Sequence, residues 1–282
     1  MIPSDTQKRG ALHYYILYDW SRGILHRWPV FLASALIFGF AGLQCCDSYA
    51  TLRMSGEITA LPSFLDAWIY AFKGMAVFNP LSNQPFNIPA LWLLIEIFIA
   101  YMVSSYPYTD LDGVGRQVLV RSQKRWHWWF GKCIWNISSI VLFYAIGAIS
   151  LLLVVLLKGG GGLTLHPEIL DIWEMQMQAP AGSWKIMVFL LPLLMSLALS
   201  MLQMAAMFFV KPMMSFAAVV AVLVCSAFFN TPFLIGNHAM IMRYALFTPG
   251  GIEPLPAIAI DTGLFLAALL VGKLRFDRYD IY

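Results

Sequence analysis

Charge is what this sequence has least of. Asp, Glu, Lys and Arg make up 12% of its 282 residues, where soluble domains carry about 25%. With 60% hydrophobic residues, the chain belongs in a bilayer. The net charge of +3 is small and comes from the connections, so no nucleic-acid partner is expected. Cysteine is equally uninformative as chemistry: Cys45, Cys46, Cys133 and Cys225 fall in or beside apolar runs. None has metal-ligand spacing, and the adjacent Cys45–Cys46 pair points its Cβ atoms apart, so all four read as packing residues. His13, His26, His127, His166 and His238 are scattered over the chain, without H-E-x-x-H or other zinc spacing. No G-x-S-x-G and no G-x-x-x-x-G-K-[ST] occurs. No catalytic residue, metal site or cofactor is therefore assigned to this chain, and an enzyme is not expected. The first 28 residues hold Asp5, Lys8, Arg9, Asp19, Arg22 and Arg27 with no apolar core. They are not a signal peptide, and the first apolar run is expected to be an uncleaved anchor.

What is present is a series of apolar runs. A hydrocarbon core of about 30 Å needs about 20 helical residues. Six segments qualify: 29–46, 89–106, 133–157, 186–210, 216–235 and 257–274, with a tight turn at Pro212 between the fourth and fifth. The expected fold is an all-α membrane protein of six transmembrane helices. It forms a single transmembrane domain over 1–282, with a cytoplasmic interfacial arm at 1–28, the bundle at 29–274 and a cytoplasmic tail at 275–282. Of the eighteen Lys and Arg, only Arg53, Lys73, Lys158, Lys185 and Arg243 fall on the outer side of this arrangement. That bias places both termini in the cytoplasm of a multi-pass cell-membrane protein.

The connections carry patterns of their own. Along 14–28, Tyr14, Leu17, Tyr18, Leu25 and Trp28 fall near one face, with Asp19, Arg22 and Arg27 on the other. This predicts a helix lying in the membrane interface, in contact with lipid. On the outer side, Phe64, Trp68, Ala71 and Phe72 have helical spacing, and Ile169, Ile172 and Trp173 share a face. Gly159 to Gly162 form a run expected to act as a flexible hinge. The apolar middle of 237–256 is expected to dip into the bilayer as a re-entrant segment. It would turn at Pro249, Gly250 and Gly251 and return toward Asp261, because unpaired backbone cannot face lipid.

The densest basic patch is GVGRQVLVRSQKRWHWWFGK at 113–132, between the second and third spans. Val114 and Val118 follow helical spacing, and the tryptophans form an interfacial cluster. The pattern G-x-x-R-x-x-x-x-R-S-x-x-R-W-x-x-W-x-G-K, with Gly115, Leu119, Arg121, Ser122, Arg125, Gly131 and Lys132, resembles the permease subunits of ABC exporters of the second export type. The resemblance implies that 112–120 is a coupling helix within a coupling loop at 108–132. Asp112, Arg116, Leu119, Arg121 and Arg125 would then dock onto a separate ABC-type ATPase subunit, which holds ATP and Mg²⁺. It also implies a second permease copy or a homologous permease, and paired re-entrant helices capping the exit before the last span.

Within the spans, polar groups are few. Glu96 sits mid-span in the second helix, where a bare carboxylate is costly, and is neutral, paired or lining a wet route. Gln203 is the only strongly polar side chain of the methionine-rich fourth span (Met195, Met201, Met204, Met207). With Asn230 and Asp261 these are the candidate pathway residues. An apolar or amphipathic cargo, such as a peptide or lipid-like compound, fits the uncharged spans. The competing reading is an ion-coupled transporter or accessory membrane protein without an ATPase, in which Glu96 and Asp261 carry protons or cations.

Overall fold

The computed structural model describes residues 5–78, 86–113, 115–117, 119, 125–173, 175 and 184–279, with side chains described from residue 12 onward. Helices α1 (Asp5–Gly23), α2 (Trp28–Met54), α3 (Phe64–Phe72), α4 (Ala90–Asp112) and α5 (Arg125–Leu157) come first. They are followed by α6 (Pro167–Ile172), α7 (Trp184–Ala206), α8 (Pro212–Phe228) and α9 (Pro254–Asp277), with 3-10 turns at Leu25–Arg27, Ile235–Ala239 and Ile241–Arg243. The only pairing of β type among the described residues is an isolated bridge between Tyr244 and Ile252. Proline punctuates the starts: α2, α6, α8 and α9 each carry one in their first two positions, where the missing N–H has no intrahelical acceptor to lose.

Five helical stretches are long and apolar enough to cross a bilayer: Leu12–Met54, Ala90–Asp112, Arg125–Leu157, Trp184–Ala206 and Pro254–Asp277. The expected fifth span, 216–235, differs. Helix α8 stops at Phe228 after 17 residues, roughly 25 Å at about 1.5 Å per residue, short of a core of about 30 Å. Pro232 explains the stop, because its ring would clash with the carbonyl four residues back, that of Phe228. Proline also sits inside α7, at Pro192. There the carbonyl of Val188, deprived of its helical donor, accepts from Trp68 Nε1 at 3.2 Å. An indole on α3 thus repairs the break.

The bundle has two ends. Residues 106–112, 125–132, 205–209 and 276–279 meet at the loop end, and 49–73, 158–173 and 226–247 meet at the far end. Helix α2 packs along α5, and α7 along α9. Glycine permits both contacts. A Cβ on Gly147 would lie 2.4 Å from Phe38 of α2, and one on Gly272 of α9 would lie 3.2 Å from Ala205 of α7 and 2.3 Å from Trp129 of α5. Small residues at such crossings let helix backbones approach closely.

Three expectations about the connections need correction. Gly159–162 is not a free hinge: Gly159, Gly161 and Gly162 hold positive φ. Gly161 N donates to Pro62 O at 3.1 Å and Phe64 N to Gly162 O at 3.1 Å, which seats the run on the start of α3. In α6 the buried side is Ile169, Leu170 and Trp173, with Ile172 exposed. Along 14–28, Tyr14 and Leu17 of α1, Leu25 of the 3-10 turn and Trp28 of α2 do face outward, but Asp19 of α1 turns into the protein at 1% exposure. Desolvation would forbid that without a partner, and it has one.

Gly147→Val should cost about 1–3 kcal/mol, the usual penalty of overpacking, read as a lower unfolding temperature in detergent. Gly263→Ala is the control, since a Cβ there meets nothing within 4 Å and should leave stability equal or slightly higher.

Candidate functional site

The structure gathers the scarce polar side chains into an interior column along α4, α5 and α7. On α5, Lys132, Asn136, Ser139 and Tyr144 follow one another inward, and on α7, Ser196, Ser200 and Gln203 do the same at helical spacing. All seven side chains are buried. Helical periodicity stacks Lys132, Asn136 and Ser139 on one stripe of α5 and Ser196, Ser200 and Gln203 on one stripe of α7. Packing joins them through Asn136 and Ser200, and Tyr144, on a neighbouring face of α5, reaches Ser196 and Glu96 of α4.

At the loop end the column begins with an ion cluster. Lys132 Nζ donates to Asp19 Oδ1 of α1 and lies 2.7 Å from Asp110 Oδ2 of α4. It sits 4.5 Å from the centroid of the Tyr106 ring and 5.2 Å from that of Trp128. Tyr106 Oη donates to Asp19 Oδ1 at 2.8 Å, and Trp128 Nε1 to Asp110 Oδ2 at 3.0 Å. One lysine therefore ties three helices together. Nearby, Arg125 Nη1 donates to the carbonyls of Phe276, Asp277 and Tyr279 at 3.3, 2.9 and 2.7 Å. It caps the C-terminus of α9, where a cation also meets the negative end of the helix dipole.

In the middle, Glu96 is 1% exposed. Ser196 Oγ donates to its carboxylate at 3.1 and 2.9 Å, and Tyr144 Oη lies 3.4 Å from Oε1 and 2.8 Å from Ser196 Oγ. Gln203 Nε2 donates to Ala100 O at 2.8 Å, and Asn136 Nδ2 to Ser200 Oγ at 3.1 Å. Glu96, Ser196, Ser200 and Gln203 share one narrow crevice with no room for a water molecule.

The far end closes over the column. His238 Nδ1 lies 2.7 Å from Asp261 Oδ1, both fully buried. Tyr244 Oη donates to His238 O at 2.6 Å. Burial, then the nearby Asp261 and Glu96 carboxylates, push the Tyr244 phenol well above its ordinary range. Arg243 donates to Met75 O at 3.2 Å and Ala227 O at 2.8 Å, and also to Ser226 O and Asn237 Oδ1. Burial lowers the Arg243 pKa to about 10, so it stays charged at neutral pH and neutralises the last-turn carbonyls of α8. Outside the column, Asp66 accepts from Tyr49 Oη at 2.7 Å and pairs with His166 Nδ1 at 2.7 Å, joining α2, α3 and the start of α6.

The residues anticipated for coupling separate into groups. Asp112 and Arg116 are exposed. Leu119 is buried and Arg125 is engaged by α9, so these two serve the chain's own packing rather than a free docking surface. Arg121, Val114 and Val118 lie outside the residues whose side chains are described. Of the pathway candidates, Glu96 and Gln203 meet in the crevice, while Asp261 pairs with His238 at the far end. Asn230 is half-buried just beyond α8 and does not line the crevice. Asp261 is buried against His238 of the 235–247 segment, which is built of 3-10 turns at Ile235–Ala239 and Ile241–Arg243 rather than of the paired helices expected there. Asp110, Asn136, Ser196, His238 and Arg243 were not singled out by sequence as site residues; Lys132 was named only within the loop pattern, and Asp19 only on the polar face of the amino-terminal arm. The i, i+4, i+7 spacing of Ser196, Ser200 and Gln203 could have signalled a polar stripe; no local pattern marks the others.

Lys132→Met should leave two buried carboxylates without their cation and cost about 3–5 kcal/mol, measured as thermal unfolding in detergent. Adding Asp19→Asn and Asp110→Asn should recover most of that loss, because neutral replacement of a whole buried ion cluster is far less costly than breaking it. A single Lys132→Met variant as stable as the parent would contradict the structural role assigned to the cluster.

No curated protein and no solved structure matches the chain. A family model described as "Protein of unknown function (DUF2705)" matches residues 51–282. The matched stretch holds Glu96, Asp110, Lys132, His238 and Asp261 but not Asp19. The match spans well over half of the chain, which therefore belongs to the DUF2705 family.

Proposed function

We propose that this chain is the membrane-spanning permease subunit of an ATP-driven ABC-type exporter. In this reading it crosses the cell membrane six times, α8 making the fifth passage, with both termini cytoplasmic. The 108–132 region faces a separate ATPase subunit carrying ATP and Mg²⁺. A second copy or a homologous permease completes the pathway, and the cargo is apolar or amphipathic.

The observation that carries this reading is the charged clamp at the loop end. A coupling element works only if a push on the loop moves whole helices. Here the two ends of the loop are joined: Asp110 before it and Lys132 after it form one ion pair, extended to α1 through Asp19, while Arg125 binds the end of α9. The exposed Asp112 and Arg116 stand on that rigid base. At the opposite end, a cavity of about 460 Å³ is bordered by Tyr70, Trp92, Trp173 and Met242 together with Gln44, Lys73 and Asn87, a mixed wall that fits an amphipathic cargo better than a purely apolar one.

The reading is tested by purifying the tagged chain from its native membranes. A stoichiometric ATP-binding chain with a phosphate-cradling loop should co-purify. Arg116→Glu should release it while leaving the unfolding temperature of the permease unchanged, because exposed substitutions cost little stability. Purification without any ATPase, or an association indifferent to Arg116→Glu, overturns the proposal. Orientation is checked with cysteine labelling in a background lacking Cys225, the exposed native thiol. Lys158→Cys should react with impermeant reagent in intact cells, and Arg116→Cys only after the membrane is opened.

A further inference from the structure

We propose that the crevice between α4 and α7 is a binding site for one dehydrated Na⁺ ion, held by Glu96, Gln203, Ser196 and Ser200. The site is built, not incidental. The four side chains are buried at 1–2% exposure and line the same narrow crevice. Gln203 Nε2 is committed to Ala100 O, which fixes the amide and leaves Oε1 buried with no hydrogen-bond partner. A buried amide oxygen normally finds a donor, and leaving one unmet costs about 1–3 kcal/mol.

The chemistry of the lining selects the ion. Every donor atom is oxygen, from a carboxylate, an amide and two hydroxyls, the set that hard cations prefer. One carboxylate cancels one positive charge, so a monovalent ion leaves the apolar interior neutral whereas a divalent ion does not. Mg²⁺ is further disfavoured because it keeps several waters, and the crevice admits none. K⁺ is about as large as a water molecule; Na⁺ without its hydration shell is smaller. A proton on Glu96 would neutralise the carboxylate but would leave Gln203 Oε1 without a partner.

The titratable groups facing Glu96 are Tyr144 from α5, at 3.4 Å, and Tyr244 from the far-end segment, close enough to feel its charge. No lysine or arginine among the described residues bonds to it in place of a cation. Protons and Na⁺ should therefore compete for Glu96. This inference is independent of the exporter reading and needs no ATPase.

The test uses the full chain in detergent or lipid nanodiscs, with radioactive sodium binding and thermal unfolding measured in NaCl, KCl and choline chloride at equal ionic strength. Saturable sodium binding is expected, with a rise in unfolding temperature in NaCl absent from KCl and choline. The half-saturating Na⁺ concentration should increase as pH falls. Glu96→Gln should abolish the response, and Gln203→Leu should weaken Na⁺ binding by about tenfold or more. If Glu96→Gln fails to fold, Gln203→Leu and Ser200→Ala carry the test. Equal responses to all three salts, or sodium binding unchanged in these variants, overturn the proposal. So does a dependence on pH alone, which would assign the crevice to a proton.

Discussion

An apolar bundle of this kind depends on never leaving a peptide group or a charge unmet where water cannot reach it. Each lapse costs several kcal/mol in lipid, and this fold repairs its own lapses with side chains from distant helices. The proline that interrupts α7 orphans the carbonyl of Val188, and Trp68 of α3 supplies the donor. Proline after α8 ends that helix early, and Arg243 arrives from the far-end turns to satisfy Ser226 and Ala227. The C-terminus of α9 is met by Arg125. A single constraint thus explains why arginines that look like surface charges in sequence are woven into helix ends.

The same constraint gathers the polar side chains. Once the outward faces of α2, α5 and α9 are given to apolar residues such as Leu36, Leu153 and Leu270, all exposed, hydroxyls, amides and acids have only the interior left. There they bond to one another: Asn136 to Ser200, Ser196 to Glu96, His238 to Asp261. The resulting column runs from the Lys132 cluster to His238 and gives the bundle an axis distinct from its lipid-facing surface. Its two ends differ in kind. The loop end is a clamp of full charges spanning three helices, suited to transmitting movement. The centre holds a carboxylate with neutral oxygen partners, suited to binding.

Much of this was legible in the chain. Composition alone placed the protein in a membrane, and run lengths located α2, α4, α5, α7 and α9, though α2 and α4 run on six to eight residues past the expected end and α5 begins eight before the expected start. The spacing of Phe64, Trp68 and Phe72 announced α3. The capping box that starts α3, Ser63 with Asp66, was also readable in principle. The end of the fifth run was misplaced because hydropathy continues through Phe229, Phe233 and Leu234, whereas the backbone answers to Pro232 and the helix stops at Phe228. Gly159 to Gly162 misled in the opposite direction: permissive residues were read as freedom, when their positive φ serves one fixed turn against Pro62.

What the sequence by itself determined, then, is the solvent this protein lives in, the helices that meet it, and that Glu96 and Asp261 would need partners. Those conclusions rest on transfer free energy and helical period, which are properties of short stretches. Only the tertiary structure decided who the partners are. Lys132 lies 113 positions from Asp19, Ser196 is 100 from Glu96, and Arg125 is 154 from Tyr279. Periodicity says which residues share a helix face, but not which face of another helix will be turned toward it. That choice belongs to the packing of whole helices around Gly147 and Gly272, where only the absence of a Cβ allows the contact that brings the distant partners together.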